Sequence, residues 1–316
     1  MKTVLVPLDG SALAEQSLPY ARLLATTLGV GVRLLRVIAE TPGDDFLAES
    51  IGAVYGMNDP LTIQRERQQH AFEILRQNAE RYLESHAELM HADGIDVTID
   101  IRFGAPADVI VEAALVPQVT MIVMATHGYS GFKRWSLGSV TDKVIHATAT
   151  PIFIVRAEAL SRKRAFKRIM VPLDGSALAR QALPLATELA KSSGAELLLM
   201  EAIAATIEAY PGFPSRGRPI PQLADVLEAL RDQATNQLGD QADALRAQGV
   251  SVSTQMVQGH AAEVLVDEAA RRDVDLIVMA THGYSGLKRW ALGSVADKVL
   301  HATTTPLLLV RAKSSS

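Results

Sequence analysis

The stretch VPLDGSALA, residues 6–14, returns letter for letter at residues 171–179. A second stretch, IVMATHGYSGFKRWSLGSVTDKVIHATATP at residues 122–151, returns at residues 277–306 with five of its thirty positions changed. The changes fall at 132/287, 136/291, 141/296, 145/300 and 149/304, and each exchange is mild. A unit that carries one signature near its start and another near its end, twice in one chain, is a duplicated module. Cores accept many apolar sequences of the right volume, so packing does not demand identity in a polar, glycine-bearing loop. Shared chemistry and recent duplication both account for it.

Working outward, each VPLDGS stretch closes a short β-branched run, at residues 3–7 and 168–172. An apolar stripe of helical period follows (Leu18, Ala21, Leu24, Ala25, Leu28) and stops at Gly29; in the second copy it stops at Gly194. Second strands are expected at 32–38 and 196–203, then Gly- and Pro-rich loops, then long helices at 61–93 and 222–248. The first copy is ten residues longer here, with 90 residues from Val37 to His127 against 80 from Ala202 to His282. Third strands follow at 97–102 and 252–257, then helices at 104–115 and 259–271. Near-continuous apolar strands come next at 121–125 and 276–280, with last helices at 139–147 and 294–302 and last strands at 152–155 and 307–310. This alternation is the α/β class, read as two tandem open, twisted, parallel five-stranded sheets with helices on both faces. The expected domains are 1–157 and 167–312, joined by a basic linker at 158–166. The basic residues there and just beyond it (Arg162, Lys163, Arg164, Lys167, Arg168) read either as a solvated tether or as a docking patch for an acidic partner. Ligands of such sheets sit beyond the carboxyl ends of the strands, near the switch in strand order. Both signatures fall at strand ends, after the first and fourth strands of each copy.

Composition narrows the classes. The chain has 316 residues, 48% hydrophobic and 21% charged, enough for two ordinary domains with a core each. A net charge of −4 gives no global basic field for nucleic acid or an acidic membrane. The longest apolar runs, such as residues 121–126, are of strand length, so no membrane span is expected. The opening Met1-Lys2-Thr3 leads straight into a strand pattern with no apolar signal region. Cysteine is absent, which removes disulfides, thiolate nucleophiles and Cys-ligated metals and fits the reducing cytoplasm.

The loops carry the chemistry. Ala125-Thr126-His127-Gly128 leaves a buried strand, and after nine residues Gly138-Ser139-Val140 opens a helix. The second copy offers Ala280, Gly283, Gly293, Ser294 and Val295 at the same spacing. A helix N-terminus presents unpaired N–H groups and partial positive charge, glycine lets backbone approach closely, and serine adds a hydroxyl donor. The pattern points to anion binding. Asp9 and Asp174 follow the first strand of each copy directly. A carboxylate there accepts from a base amino group or a ribose hydroxyl, holds a cation, or caps the helix. Ser11 and Ser176 are able to take the capping role and leave the carboxylates free. His127 and His282 are loop donors or acid–base groups, and Lys133-Arg134-Trp135 with Lys288-Arg289-Trp290 either screen phosphate charge or form a surface. No P-loop, no Gly-x-Gly-x2-Gly fingerprint and no Gly-x-Ser-x-Gly elbow occurs. No His, Asp or Glu spacing specifies a metal.

The V-P-L-D-G-S opening and the T-H-G-x9-G-S-V ending resemble the universal stress protein family, here in tandem over nearly the whole chain. The resemblance implies a Rossmann-like, nucleotide-binding α-hydrolase-like fold. It also implies ATP binding through Gly-x2-Gly-x9-Gly-Ser/Thr, matched by Ala125, Gly128, Gly138 and Ser139 and by Ala280, Gly283, Gly293 and Ser294. Both copies carry alanine for the first glycine, a change that keeps the backbone N–H. By the same resemblance Asp9 and Asp174 contact the adenine side, the backbone of Val37 and Ala202 holds the base, and Met124 and Met279 lie beside the phosphate turn. Ala202 presents a smaller wall than Val37, so the second site is expected to be weaker. Mg²⁺ is able to arrive with ATP. The family pairs through its last strand, which implies an internal pseudo-dimer of the two halves, with a homo-oligomer beyond it. The implied role is a nucleotide-dependent regulator or sensor in stress response. The alternatives are an interaction scaffold with one or both sites empty, a slow ATPase or autophosphorylating protein, and an adenylyl transferase using Lys133 or Lys288.

Overall fold

The computed structural model describes residues 1–39, 60–126, 137–156, 165–203, 223–281 and 292–312. The first half runs β1 (Thr3–Pro7), α1 (Leu18–Leu28), β2 (Gly31–Ile38), α2 (Pro60–His91), β3 (Val97–Phe103), α3 (Pro106–Ala114), β4 (Val119–Thr126), α4 (Ser139–Ala147) and β5 (Ile152–Arg156). The second half repeats it: β6 (Arg168–Leu173), α5 (Leu183–Ser193), β7 (Glu196–Ile203), α6 (Leu223–Arg246), β8 (Val252–Gln258), α7 (Ala261–Arg271), β9 (Leu276–Thr281), α8 (Ser294–Ala302) and β10 (Leu307–Arg311).

Local chemistry sets these bounds. Val4, Leu5 and Val6 of β1 are all buried, as are Met121 to Met124 of β4, because a parallel strand is covered on both faces. α1 and α5 end on left-handed glycines, Gly29 (φ 64) and Gly194 (φ 71), a conformation that costs an L side chain energy but not glycine. α1 starts at Leu18, the first residue of its apolar stripe, and α5 at Leu183. Short 3-10 turns, Ala14–Ser17 and Ala179–Ala182, come first, and Pro19 and Pro184 then occupy the first helical turn, where no N–H is needed. α3 likewise begins at Pro106 and not at Gly104, whose φ of 132 turns the chain out of β3.

The strand order is β3-β2-β1-β4-β5-β10-β9-β6-β7-β8. Within each half every neighbouring pair is parallel, so the two expected five-stranded sheets are present. They join through one antiparallel pair, β5 with β10, in the register Leu307↔Ile154, Leu308↔Phe153 and Leu309↔Ile152. Phe153 and Leu308 are counterparts in the two copies (308 − 153 = 155, equal to 277 − 122), so a local two-fold relates the halves. Helices α1, α2, α5 and α6 cover one face over a core containing Leu24, Leu83, Phe153, Leu189 and Leu238. Helices α3, α4, α7 and α8 cover the other, over Ile110, Val144, Leu265 and Val299. Each core runs across the junction, and α1 packs against α5. Phe166, the last residue of the expected linker, is buried beside Phe153 at 6.3 Å between ring centres. Residues 158–164 of that linker lie outside the described residues.

Two arginines clamp the junction. Arg156, ending β5, donates to the Leu300 carbonyl near the end of α8. Arg311, ending β10, donates to the Ile145, His146 and Thr148 carbonyls at the end of α4, at 3.1, 2.9 and 3.3 Å. Terminal helix carbonyls lack intrahelical partners and carry partial negative charge, so a guanidinium suits them.

Candidate functional site

Strand order reverses between β1 and β4, because the chain leaves β1 for β2 on one side and returns from β3 to β4 on the other. Beyond the carboxyl ends of these strands lies a cavity of about 340 Å³. Leu35, Val37, Ile110 and Met124 give it an apolar lining, and Asp9, Ser11, Thr126, Ser139 and Thr141 bring polar groups. The second half has a matching cavity of about 260 Å³ between β6 and β9. Met200, Ala202, Leu265 and Met279 supply its apolar side, Asp174 and Ser294 its polar side.

These cavities gather the residues singled out in the sequence. The first brings together Asp9, Val37, Met124, Ala125, Gly138, Ser139 and Val140, and the second Asp174, Ala202, Met279, Ala280, Gly293, Ser294 and Val295. Gly128 and Gly283 lie outside the described residues, as do His127, His282, Lys133, Arg134, Trp135, Lys288, Arg289 and Trp290. Pattern reading passed over Leu35, Ile110, Thr126 and Thr141. The signal was present for Leu35, which shares a face with Val37 by the period of two in a strand, and for Ile110, one turn beyond Pro106 in α3. The Thr126 hydroxyl oxygen is buried and has no partner among the described residues, so the first half holds a polar atom at the cavity wall that the described chain leaves unsatisfied.

Asp9 is not the free carboxylate the sequence suggested. Its Oδ1 accepts from the Ser11 N–H at 2.9 Å and the Ser11 hydroxyl at 2.5 Å, while Ser11 Oγ accepts from the Ala14 N–H at 3.1 Å. Asp174 and Ser176 repeat the turn, with 3.0 Å from the Ser176 N–H and 3.0 Å from the Ala179 N–H to Ser176 Oγ. Serine does the capping, and one carboxylate oxygen fixes the loop. Oδ2 of both aspartates accepts no hydrogen bond from another described residue. Burial pushes the Asp9 pKa up, but the Ser11 hydrogen bonds and the Arg36 charge outweigh it and hold the carboxyl below its ordinary value.

At the opposite wall, Gly138 and Gly293 precede α4 and α8, and among the described residues no side chain caps either helix start. The first-turn N–H groups of Ser139 and Val140, and of Ser294 and Val295, therefore remain for a ligand. His146 and His301 take no part: each ring Nδ1 meets the carbonyl four residues earlier, at 2.8 and 2.7 Å.

The profile described as "Universal stress protein family" matches residues 1–156 and again 165–311. The chain belongs to the universal stress protein family. A universal stress protein of Synechocystis is 24% identical over 318 residues, covering 98% of this chain and 100% of its own. One of Methanocaldococcus jannaschii is 29% identical over 169 residues, covering 54% of this chain and 96% of its own. Among solved structures, a universal stress protein of Archaeoglobus fulgidus superposes with a TM-score of 0.70 at 21% identity over 98% of each chain, which establishes the shared fold.

In this tandem universal stress protein the two cavities differ in detail. Val37 corresponds to Ala202 across the duplication, Leu35 to Met200 and Thr141 to Ala296, and the second cavity is the smaller of the two. Among the described residues no cluster of three or more His, Asp or Glu side chains is placed to hold a metal, and no helix is long and apolar enough to cross a membrane.

Proposed function

We propose that this universal stress protein binds one ATP in each half, 1–157 and 167–312, and works as a nucleotide-dependent regulator in stress response. The observation that carries the reading is the pairing, in both halves, of a strand-end aspartate with an uncapped Gly-Ser helix start across an apolar cavity. The phosphates go to the N–H groups of Ser139 and Val140 and of Ser294 and Val295, with Gly128 and Gly283 supplying the other side of the motif. Ala125 and Ala280, beside Met124 and Met279, begin that turn. The base lies on the β2 or β7 side, against Val37 or Ala202, within reach of Asp9 or Asp174. The unpartnered Thr126 hydroxyl gives the first site one more contact. Mg²⁺ enters as the counter-ion of the triphosphate. A cavity of about 340 Å³ falls within the 300–1,000 Å³ or so of small-molecule sites. The described lining of each cavity offers a single carboxylate, and we take the output to be occupancy, not turnover. Since β5 and β10 already pair with each other, further assembly of chains needs another surface. The cysteine-free sequence suits a reducing compartment, and we place the protein in the cytoplasm.

Native mass spectrometry with ATP titration tests this. Two ATP per chain are expected, and Gly138→Asp, which sets a carboxylate against the phosphates, removes one. Gly138 has φ −54, open to any residue, so the substitution reports on the ligand and not on backbone strain. No mass shift at millimolar ATP would sink the nucleotide reading and leave a scaffold.

A further inference from the structure

The two halves reverse one pair of charges. In the first, Arg36 on β2 and Glu15 before α1 flank the base of the Asp9 turn. The Arg36 guanidinium donates to the Leu8 carbonyl at 3.2 Å and lies over the Tyr82 ring at 6.0 Å. The Tyr82 hydroxyl donates to Glu15 at 3.1 Å, and His86 approaches the same carboxylate at 3.6 Å. Cation, ring and carboxylate thus form one contact chain between β2, α2 and the turn before α1. By the repeat offsets of 165 and 155, the counterparts are Glu201, Arg180, Gln237 and Gln241.

Those replacements leave room. A crevice of about 110 Å³ opens between β7 and α6, lined by Leu173, Arg180, Glu201, Gln237, Asp240 and Gln241. It lies on the other face of the sheet from the main body of the second nucleotide cavity, since Leu238 belongs to the α5–α6 core and Met200 to the α7–α8 core, while Leu173 at the strand end lines both. Glu201 is half-buried and accepts no hydrogen bond among the described residues. Burial and the nearby Asp174 raise its pKa. Its evident partner, Arg180, does not close on it and donates instead to the Gly175 carbonyl at 2.8 Å. A desolvated acceptor without a donor is costly, and an incoming N–H donor relieves it.

We propose that this crevice is a binding site for a guanidinium or primary ammonium head group, taking from outside the cation that Arg36 supplies internally in the first half. Glu201 is the primary acceptor, with Asp240 and the side-chain amide oxygens of Gln237 and Gln241 around it. A volume of about 110 Å³ holds several waters by the measure of roughly 10–15 Å³ each, enough for one such head group and little more. Arg180 also lines the site, so its charged side chains are one positive against two negative, Glu201 and Asp240, favouring a cation.

The test is saturation transfer to the methyl protons of methylguanidinium titrated into the full chain, with tetramethylammonium as a cation of equal charge and no N–H. Saturable binding of methylguanidinium alone is expected. Glu201→Gln, nearly isosteric, should weaken it about tenfold or more by removing a charge-assisted bond. Gln237→Tyr, which restores the ring of the first half, should abolish it. Saturating ATP should leave methylguanidinium binding in place, which separates this site from the nucleotide reading. Tighter binding of N-acetyl-arginine methylamide than of methylguanidinium would assign the head group to a polypeptide side chain, and equal or weaker binding to a free molecule; either supports the site. Equal transfer to tetramethylammonium, or unchanged affinity in both Glu201→Gln and Gln237→Tyr, overturns it.

Discussion

Asp9 divides its labour between its two oxygens: Oδ1 holds Ser11, and Oδ2 accepts from no other described residue. If Oδ2 receives the ribose or the adenine amino group, Asp9→Ala lowers ATP affinity in the first half by about 10–100-fold, the range for a bond to a charged group. It weakens inorganic triphosphate far less; an equal loss for both, by calorimetry, would reduce Asp9 to a loop fixer. Because the Asp9 pKa is lowered against burial by Ser11 and Arg36, the ionised acceptor persists as pH falls, and its contribution is lost only through that lowered value. Arg36→Glu removes the favourable charge and adds an unfavourable one, so the acid limb of ATP binding moves to higher pH. The comparison with wild type cancels the protonation of ATP itself, and an unmoved limb would exclude Asp9 from binding. The DGS repeat made Asp9 and Ser11 legible from sequence. Arg36 was not, because its ring partner Tyr82 comes from a distant helix and no local period links the two.

At the level of elements, α4 and α8 were legible to the residue, Ser139–Ala147 and Ser294–Ala302. A Gly-Ser start, an apolar stripe and a Thr-x-Thr-Pro exit leave little freedom. The 3-10 turns ahead of α1 and α5 were not legible, since four residues are too few to show a period. Nor did letters reveal that the two Gly-Ser starts differ in backbone: Gly138 has φ −54 and Gly293 φ 87. Gly293 is held where a Cβ is strained, and Gly138 is not. Gly293→Ala should therefore cost about 1–2 kcal/mol in denaturant unfolding, and Gly138→Ala close to nothing. Equal costs would mean that both loops share one conformation in solution.

Across the whole molecule, the parallel halves follow from sequence pattern, whereas their union came only from the resemblance. Phe153 and Leu308 each read as an ordinary buried strand residue, and pattern does not say that they face each other. Yet this pair, with the continuous cores on both faces and Arg156 and Arg311 gripping the opposite half's helix, makes the sheet one body. A single calorimetric unfolding transition is the consequence. With the second cavity blocked by Ser294→Asp, ATP bound in the first half alone should raise the temperature of the entire transition, by about 2.7 kcal/mol of stability at one hundred times Kd. Leu308→Asp sets a carboxylate into the buried junction against Phe153. That variant should melt in two steps, and ATP should move only the first half's step. Two transitions in the unaltered protein, with ATP shifting one of them, would show that the halves touch without sharing a fold, and the ten-stranded sheet would then be an arrangement of two independent bodies.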